Sequence, residues 1–111
     1  MRTIICGGRR NRLKDADFIW LAEMRTSLPI TCVISGGATG ADSGGESFAR
    51  MHNIPLIVMP ADWKKWGGAA GPIRNAEMAE IADVVIAFAG GTGTADMVRR
   101  AKEKGLKVIV R

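Results

Sequence analysis

The sequence predicts a three-layer α/β domain, in which a parallel sheet of about five strands carries helices on both faces. Five short apolar runs are rich in β-branched residues, and most are continuous, as expected for strands that are covered on both faces. Segments with helical periodicity lie between these runs, and such alternation gives parallel strands joined by right-handed crossovers. Clusters of glycine directly follow three of the runs, where a strand would turn into a helix.

The expected strands are Thr3–Cys6, Thr31–Ser35, Pro55–Met59, Asp83–Phe88 and Lys107–Val110. The expected helices run from Asp15 to Pro29, from Ala41 to about His52, from about Pro72 onward, and from Thr94 to Gly105. On the second helix, Phe48, Ala49 and Met51 are available for burial. The one long connection, residues 60–71, is expected to be a functional loop over the edge of the sheet.

Length and composition favour a single globular domain that covers residues 1–111. Lys and Arg number 16 against 11 Asp and Glu, and the net charge of +5 leaves nucleic-acid binding open. No apolar run approaches the roughly 20 residues of a membrane span, and the first apolar stretch ends at Gly7, too early for a signal peptide. Cys6 and Cys32 form no C-x-x-C pair, so reduced thiols in a cytoplasmic protein are expected.

Three glycine loops join a strand to a helix at the edge of the sheet where ligands bind in folds of this class. They are Gly7–Arg10, Gly36–Asp42 and Gly90–Thr94. Glycine lets backbone N–H groups approach an anion closely, and a helix N-terminus adds a favourable dipole. The alternative is that these loops are tight turns, which need glycine only for its positive φ. Three loops together, with hydroxyls at Thr39, Thr92 and Thr94, favour phosphate binding.

Several well-defined kinds of site are missing from the sequence. No G-x-G-x-x-G follows the first strand and no G-x-x-x-x-G-K-[ST] occurs, so neither a standard dinucleotide site nor P-loop hydrolysis is expected. His52 is the only histidine and falls near a helix C-terminus, which leaves little support for a metal cluster or a Ser-His-Asp arrangement. We therefore expect neither a metal nor a tightly held cofactor.

Individual side chains near the loops admit two interpretations each. Asp42 could accept a hydrogen bond from a ribose hydroxyl, or it could cap the first turn of its helix. Arg9 follows the first strand and could reach a phosphate or a base edge. Trp63 and Trp66 flank two lysines in the long connection. One tryptophan could stack on a nucleobase, or both could pack the loop onto the domain or a subunit interface.

Four segments of the chain, in their order and spacing, resemble a known family. The matching residues are Gly7–Arg9, Ser35–Asp42, Ala61–Trp63 followed by Ala69–Asn75, and Ala87–Val98. They resemble the YspA-like (YAcAr) branch of the SLOG superfamily, which is related to DNA-processing DprA proteins and to the "lonely guy" phosphoribohydrolases. The resemblance implies a Rossmann-like fold and a site for a nucleotide or nucleotide-derived molecule, formed by the same glycine loops.

The chain departs from the phosphoribohydrolases at positions that matter for hydrolysis. Those enzymes have a P-G-G-x-G-T-x-x-E motif, whose last acid takes part in cleaving the N-glycosidic bond. Here Ala89 replaces the proline, and Met97 stands in the glutamate position with Asp96 about 100° around the helix. Their arginine–lysine pair resembles Arg74–Asn75, which keeps one cation. The resemblance therefore implies binding, and Arg74 and Asp96 are the catalytic candidates if the ligand is hydrolysed.

We expect the chain to bind a nucleotide-derived small molecule, such as a relative of ADP-ribose, NAD or a cyclic nucleotide, for sensing, sequestration or processing. The alternatives are a phosphoribohydrolase of nucleoside monophosphates and a single-stranded nucleic-acid-binding protein. The small domain, with its Trp-containing loop and last helix, suggests a homodimer or homotetramer. The residues expected to contact the ligand are Gly8, Arg9, Gly36, Gly37, Ala38, Gly40, Asp42, Asp62, Trp63, Arg74, Asn75, Gly90, Gly91, Thr92, Gly93 and Thr94.

Overall fold

The structure, a computed structural model, describes residues 1–111. Its strands are β1 (Arg2–Cys6), β2 (Cys32–Ser35), β3 (Leu56–Val58), β4 (Val84–Ala87) and β5 (Lys107–Val110). Its helices are α1 (Asp15–Met24), α2 (Ala41–Met51), α3 (Trp63–Trp66), α4 (Ala70–Ile81) and α5 (Thr92–Glu103). A turn of 3-10 helix over Gly67–Ala69 joins α3 to α4.

All five strands are parallel, and they lie in the order β3-β2-β1-β4-β5. β1 is central, with Thr3 opposite Val33 of β2 on one side and Val84 of β4 on the other. The chain builds outward from β1 to β3, then returns to the other side of β1 for β4 and β5. Strand order therefore reverses between β1 and β4, and ligands of open parallel sheets bind at the carboxyl ends of such strands.

Helices cover both faces of the sheet, as the continuous apolar strands predict. On one face, α1 and α2 contribute Leu21 and Phe48 to a core that also contains Ile5 of β1. On the other face, α4 and α5 contribute Met78 and Met97 to a core that contains the neighbouring Ile4. Successive side chains of β1 thus enter opposite cores, and the predicted three-layer α/β architecture is confirmed.

The predicted strands are confirmed to within one residue at each end, but the first helix is shorter than predicted. It ends at Met24, well before Pro29. The hydroxyl of Thr26 donates to the carbonyl of Glu23 at 2.8 Å, and such side-chain bonds compete with helix continuation. The N-cap is Lys14 rather than Asp15, and the Lys14 N–H donates to the carboxylate of Asp17 at 2.9 Å.

Other helix boundaries also differ from the prediction. The connection over residues 60–71 contains α3, and α4 begins at Ala70, two residues before Pro72. The short helix is held by Asp62, whose carboxylate accepts the Lys65 N–H at 3.1 Å. The last helix begins at Thr92, not at Thr94. On α2, Met51 is 64% exposed and so does not join Phe48 in the core.

None of the helices combines the length and the apolar character that crossing a membrane requires.

Candidate functional site

A cavity of about 650 Å³ opens at the point where strand order reverses. It lies between the loops that follow β1 and β4 and the first turns of α4 and α5. Many residues proposed from the sequence line it: Gly8, Arg9, Ala38, Asp42, Trp63, Arg74, Asn75, Gly91, Thr92, Gly93 and Thr94, together with Asp96. The three glycine loops therefore do converge on one cavity.

Five of the proposed residues do not line the cavity: Gly36, Gly37, Gly40, Asp62 and Gly90. A Cβ at Gly36 would lie 2.7 Å from the guanidinium carbon of Arg74, and a Cβ at Gly90 would lie 2.7 Å from the Gly8 nitrogen. Gly37 and Gly40 adopt φ values of +73° and +75°, which favour glycine. These glycines serve the packing and turning of the loops, while Asp62 caps α3.

The first glycine loop is held against its neighbours by backbone hydrogen bonds. The Gly8 N–H donates to the carbonyl of Ala89 at 2.9 Å, and the Gly8 carbonyl accepts the Ala41 N–H at 3.2 Å. The N–H groups of Gly37 and Ala38 also have partners, the hydroxyl of Ser35 and the carboxylate of Asp42. These particular N–H groups are therefore engaged within the chain.

The N-terminus of α5 is different, because its first-turn donors have no partner. The first backbone bond of this helix runs from the Ala95 N–H to the Gly91 carbonyl at 3.1 Å. No hydrogen bond engages the N–H groups of Thr92, Gly93 and Thr94, and no side chain caps this helix. All three residues line the cavity, where the positive end of the helix dipole adds to the three free donors.

Arg74 is fixed by the chain on one wall of the same cavity. Nη1 of Arg74 donates to the carbonyls of Gly36 and Met59, and Nε donates to Oδ1 of Asn75 at 3.0 Å. No hydrogen bond engages Nη2. Burial lowers the pKa of Arg74, while the nearby Asp42 opposes that shift. The result is a positioned guanidinium with one free nitrogen, which suits a phosphate or carboxylate oxygen.

Asp42 occupies the first turn of α2 and is only 5% exposed. Its Oδ2 accepts the Ala38 N–H of the preceding loop at 3.2 Å, and no side chain caps α2, so the capping interpretation is wrong; no hydrogen bond engages Oδ1. Burial raises the pKa of Asp42, and the bond from Ala38 and the charge of Arg74 partly oppose that rise. Asp42 lines the cavity, so its position is compatible with the ribose interpretation.

Asn75 links α4 to α5 at the wall of the cavity. The amide nitrogen of this buried residue donates to the Gly93 carbonyl at 3.1 Å and to Oδ2 of Asp96 at 3.0 Å. Arg99 and Arg100 also donate to the Asp96 carboxylate, each at 2.9 Å. Burial acts to raise the pKa of Asp96, but these hydrogen bonds outweigh it and lower the pKa. A carboxylate held ionised in this way is poorly suited to act as a general acid near neutral pH.

Trp63 lies at the rim of the cavity with its ring about half exposed. The guanidinium of Arg9 lies 5.5 Å from the centroid of this ring, within the range of a cation–π contact. The pair provides a flat apolar face next to a cation. Trp66 does not line the cavity, and its ring instead contacts Lys65.

Seven residues of the lining are absent from the list of ligand contacts predicted from the sequence, although Gly7 belongs to the first glycine loop: Cys6, Gly7, Gly68, Gly71, Pro72, Met78 and Met97. Helical spacing offers a signal for Met78, which lies one turn after Arg74 and therefore on the same face of α4. Cys6 ends β1 and is buried, and burial raises the pKa of its thiol to about 12. This thiol is therefore neutral and is no nucleophile at physiological pH.

Known proteins resemble this chain over nearly its whole length. The model of the family described as "YspA, cpYpsA-related SLOG family" (YAcAr) matches residues 1–66, from β1 to the end of α3. The "Gene 61 protein" of Mycobacterium phage D29 is 35% identical to this chain over an alignment 120 residues long, which covers 98% of this chain and 95% of that protein. No solved structure matches the chain.

Proposed function

The chain belongs to the YspA, cpYpsA-related SLOG family, and we propose that it binds a nucleotide-derived small molecule in the cavity between the glycine loops. One observation carries the proposal. The three partnerless N–H groups at the start of α5 share a cavity with the free nitrogen of Arg74. Two separate structural elements thus offer donors to one anion, and phosphate is the anionic group that nucleotide-derived molecules supply.

The remaining lining residues can serve the other parts of such a ligand. The free Oδ1 of Asp42 can accept a hydrogen bond from a ribose hydroxyl, and the exposed face of Trp63 can stack on a base. A cavity of about 650 Å³ falls within the roughly 300–1,000 Å³ typical of small-molecule sites. ADP-ribose, NAD and cyclic nucleotides combine the same three groups and are the classes we propose.

A nucleotide N-glycosidase, or phosphoribohydrolase, is the second candidate, and the position of Asp96 is the observation that favours it. Asp96 lines the cavity close to the free donors of α5. Its carboxylate is nevertheless occupied by Asn75, Arg99 and Arg100, and its lowered pKa argues against proton donation. Release of free base from nucleoside monophosphates, measured by chromatography and lost in Asp96→Asn, would establish the enzyme.

The binding proposal can be tested while the ligand is still unidentified. Mass spectrometry of small molecules released from the purified protein should identify a phosphorylated nucleoside derivative. The protein should then be screened by thermal shift against AMP, NAD, ADP-ribose and cyclic nucleotides. A ligand that binds should stabilise the fold, by about 2.7 kcal/mol at about 100 times its Kd. Absence of both a released molecule and any stabilisation would contradict the proposal.

Variants of the arginines locate the phosphate. Arg74→Ala should lower the affinity for a phosphorylated ligand by at least about tenfold. The affinity for the matching nucleoside should stay almost unchanged, because the nucleoside offers no anion. Arg25→Ala is the matched control, since Arg25 caps the far end of α1, at the opposite edge of the sheet. Equal losses for nucleotide and nucleoside would place the phosphate away from Arg74.

A further inference from the structure

A second concavity, a basic groove of about 870 Å³, lies beside the first glycine loop. The groove is lined by Arg9, Arg10, Arg12 and Lys14 on the side of this loop, and by Ser43 and Ser47 of α2 on the other. Arg9 also lines the ligand cavity, so the two concavities meet at this residue. Apart from Arg9 and Gly40, the residues of the groove are not among those that the sequence predicts to contact the ligand.

Three cations of the groove form no ion pair within the chain. The side chains of Arg10, Arg12 and Lys14 take part in none of the ion pairs of the structure, which instead use seven other pairings. Asp15 is the one acidic residue of the lining, and it is exposed. Cations gathered around a concave surface raise the local concentration of anions more than the same charges spread over a convex face.

The first turn of α2 adds a second, independent set of donors to the groove. The Ala41 N–H donates to the Gly8 carbonyl. The first hydrogen bond of the helical ladder of α2 is donated by the Gly44 N–H to the Gly40 carbonyl. Ser43 lines the groove and no hydrogen bond engages its N–H group, so the first turn of this 11-residue helix leaves a free donor there. The hydroxyl of Ser47 has no partner either. The groove therefore offers directed hydrogen bonds as well as charge.

We propose that the groove binds a second phosphoryl group of the same ligand. Among nucleotide-derived molecules, this narrows the natural ligand to one with two phosphates separated by a nucleoside, and it excludes ADP-ribose and NAD, in which two phosphates are joined directly. This inference rests on the proposed function. The first phosphate occupies the cavity at the start of α5, the chain of the ligand passes Arg9, and the second phosphate meets Arg10, Arg12 and the first turn of α2. Such a unit exists in free dinucleotides and at the end of a single-stranded oligonucleotide.

The test compares AMP with the 5′-phosphorylated dinucleotide pApA by titration calorimetry. The wild-type protein should bind pApA at least about tenfold more tightly than AMP. The double variant Arg10→Gln/Arg12→Gln should lose most of that advantage and keep its affinity for AMP, because neither arginine lines the cavity. Arg25→Gln/Lys107→Gln removes the same net charge at the opposite edge of the sheet, and it should keep the full advantage of pApA.

Each outcome decides the inference. Equal affinities of the wild-type protein for AMP and pApA would show that the groove binds no second phosphate, and would leave the proposed function intact. Retention of the pApA advantage in Arg10→Gln/Arg12→Gln, or an equal loss in the control, would also overturn it. Binding of neither compound would overturn it together with the adenylate form of the proposed function. Affinity that rises further with a longer oligoadenylate would identify the ligand as a strand end, and no such rise would identify it as a dinucleotide.

Discussion

Gly36 and Gly93 occupy similar places in the sequence, each in a glycine loop that follows a strand, yet a side chain would meet different surroundings at the two positions. At Gly36 a Cβ would collide with the guanidinium of Arg74 and would lie 2.8 Å from Oδ2 of Asp42. At Gly93 a Cβ would meet nothing within 4 Å, and φ is not positive. Gly36 is therefore required by the fold itself, whereas Gly93 is free of that constraint.

This contrast separates folding from binding in one pair of variants. Gly93→Ala should leave the thermal stability unchanged or raise it by about 0.5–1 kcal/mol, because alanine is the better helix residue. Gly93→Ala should lower the affinity for the nucleotide ligand by at least about tenfold, since the Cβ enters the space beside the free N–H groups. Gly36→Ala should instead cost stability, by about 1–3 kcal/mol. Calorimetric titration and thermal unfolding of both variants provide the check; an unaltered affinity in Gly93→Ala would remove α5 from the binding site.

The two cysteines differ in their environment, and this gives a chemical prediction. Burial raises the pKa of Cys6 to about 12, so almost no thiolate forms at about pH 8, whereas Cys32 is partly exposed. Iodoacetamide should therefore alkylate Cys32 in the native protein and spare Cys6, as read by peptide mass spectrometry. In urea both cysteines should react, which serves as the control. Alkylation of native Cys6 at the rate of the unfolded chain would show that β1 opens readily at its carboxyl end.

At the scale of elements, the sequence located strands better than helices. Strands such as β4 are continuous apolar runs, and their bounds follow from composition alone. The helix starts at Ala70 and Thr92 could not be read in the same way, because neither has a side-chain cap that would mark it in the sequence. The end of α1 was predicted too late because Pro29 is the obvious stop signal in the sequence. The hydroxyls of Thr26 and Ser27 instead donate to the last carbonyls of the helix, those of Glu23 and Met24.

The candidate site was predictable to a similar degree. The convergence of the glycine loops follows from parallel topology, so residues such as Gly91 and Arg9 could be placed at one edge. The separation of structural from cavity-lining glycines depends on neighbours distant in sequence, as the contact between Gly36 and Arg74 illustrates. The link from Asn75 to α5 likewise arises only when two helices pack side by side.

That link makes Asn75 the residue through which α4 and α5 are coupled. Asn75→Ala removes the bonds to Gly93 and Asp96 and leaves the Nε of Arg74 without its partner. The free energy of unfolding should fall by about 1–3 kcal/mol, the usual cost of leaving buried polar groups unpaired. If the proposed phosphate site is right, nucleotide affinity should fall as well, because Arg74 and the first turn of α5 lose their mutual alignment.

Glu77→Ala is the matched control for Asn75→Ala. Glu77 is exposed on the same helix and its carboxylate makes no hydrogen bond, so its truncation should change neither quantity. Chemical denaturation and ligand titration measure the two effects. If Asn75→Ala unfolded at the wild-type denaturant concentration and bound ligand normally, the two helices would be aligned by apolar packing alone.

At the scale of the whole molecule, four of the eight exposed large apolar side chains belong to the edge strand β3 and to α3, the next helix in the chain. Ile57 and Val58 of the edge strand β3 are 40% and 43% exposed, and Trp63 and Trp66 of the adjoining α3 are nearly half exposed. The last helix, which the sequence suggested as a second apolar surface, contributes none of the exposed large apolar side chains. An uncovered apolar edge strand on so small a domain favours association between copies.

We therefore predict that the protein is a homodimer or a dimer of dimers that associates through β3 and Trp66 of α3, which leaves Trp63 at the rim of the cavity. Light scattering at micromolar concentration should give twice or four times the monomer mass of 11.9 kDa. Ile57→Lys should return the protein to a monomer without unfolding it, because a charge on an exposed edge strand blocks pairing at little cost to the fold. Ile19→Lys is the control, since Ile19 is 59% exposed on α1, away from this edge, and it should leave the assembly intact. A wild-type mass of 11.9 kDa would reject association, and equal dissociation by both variants would place the interface elsewhere.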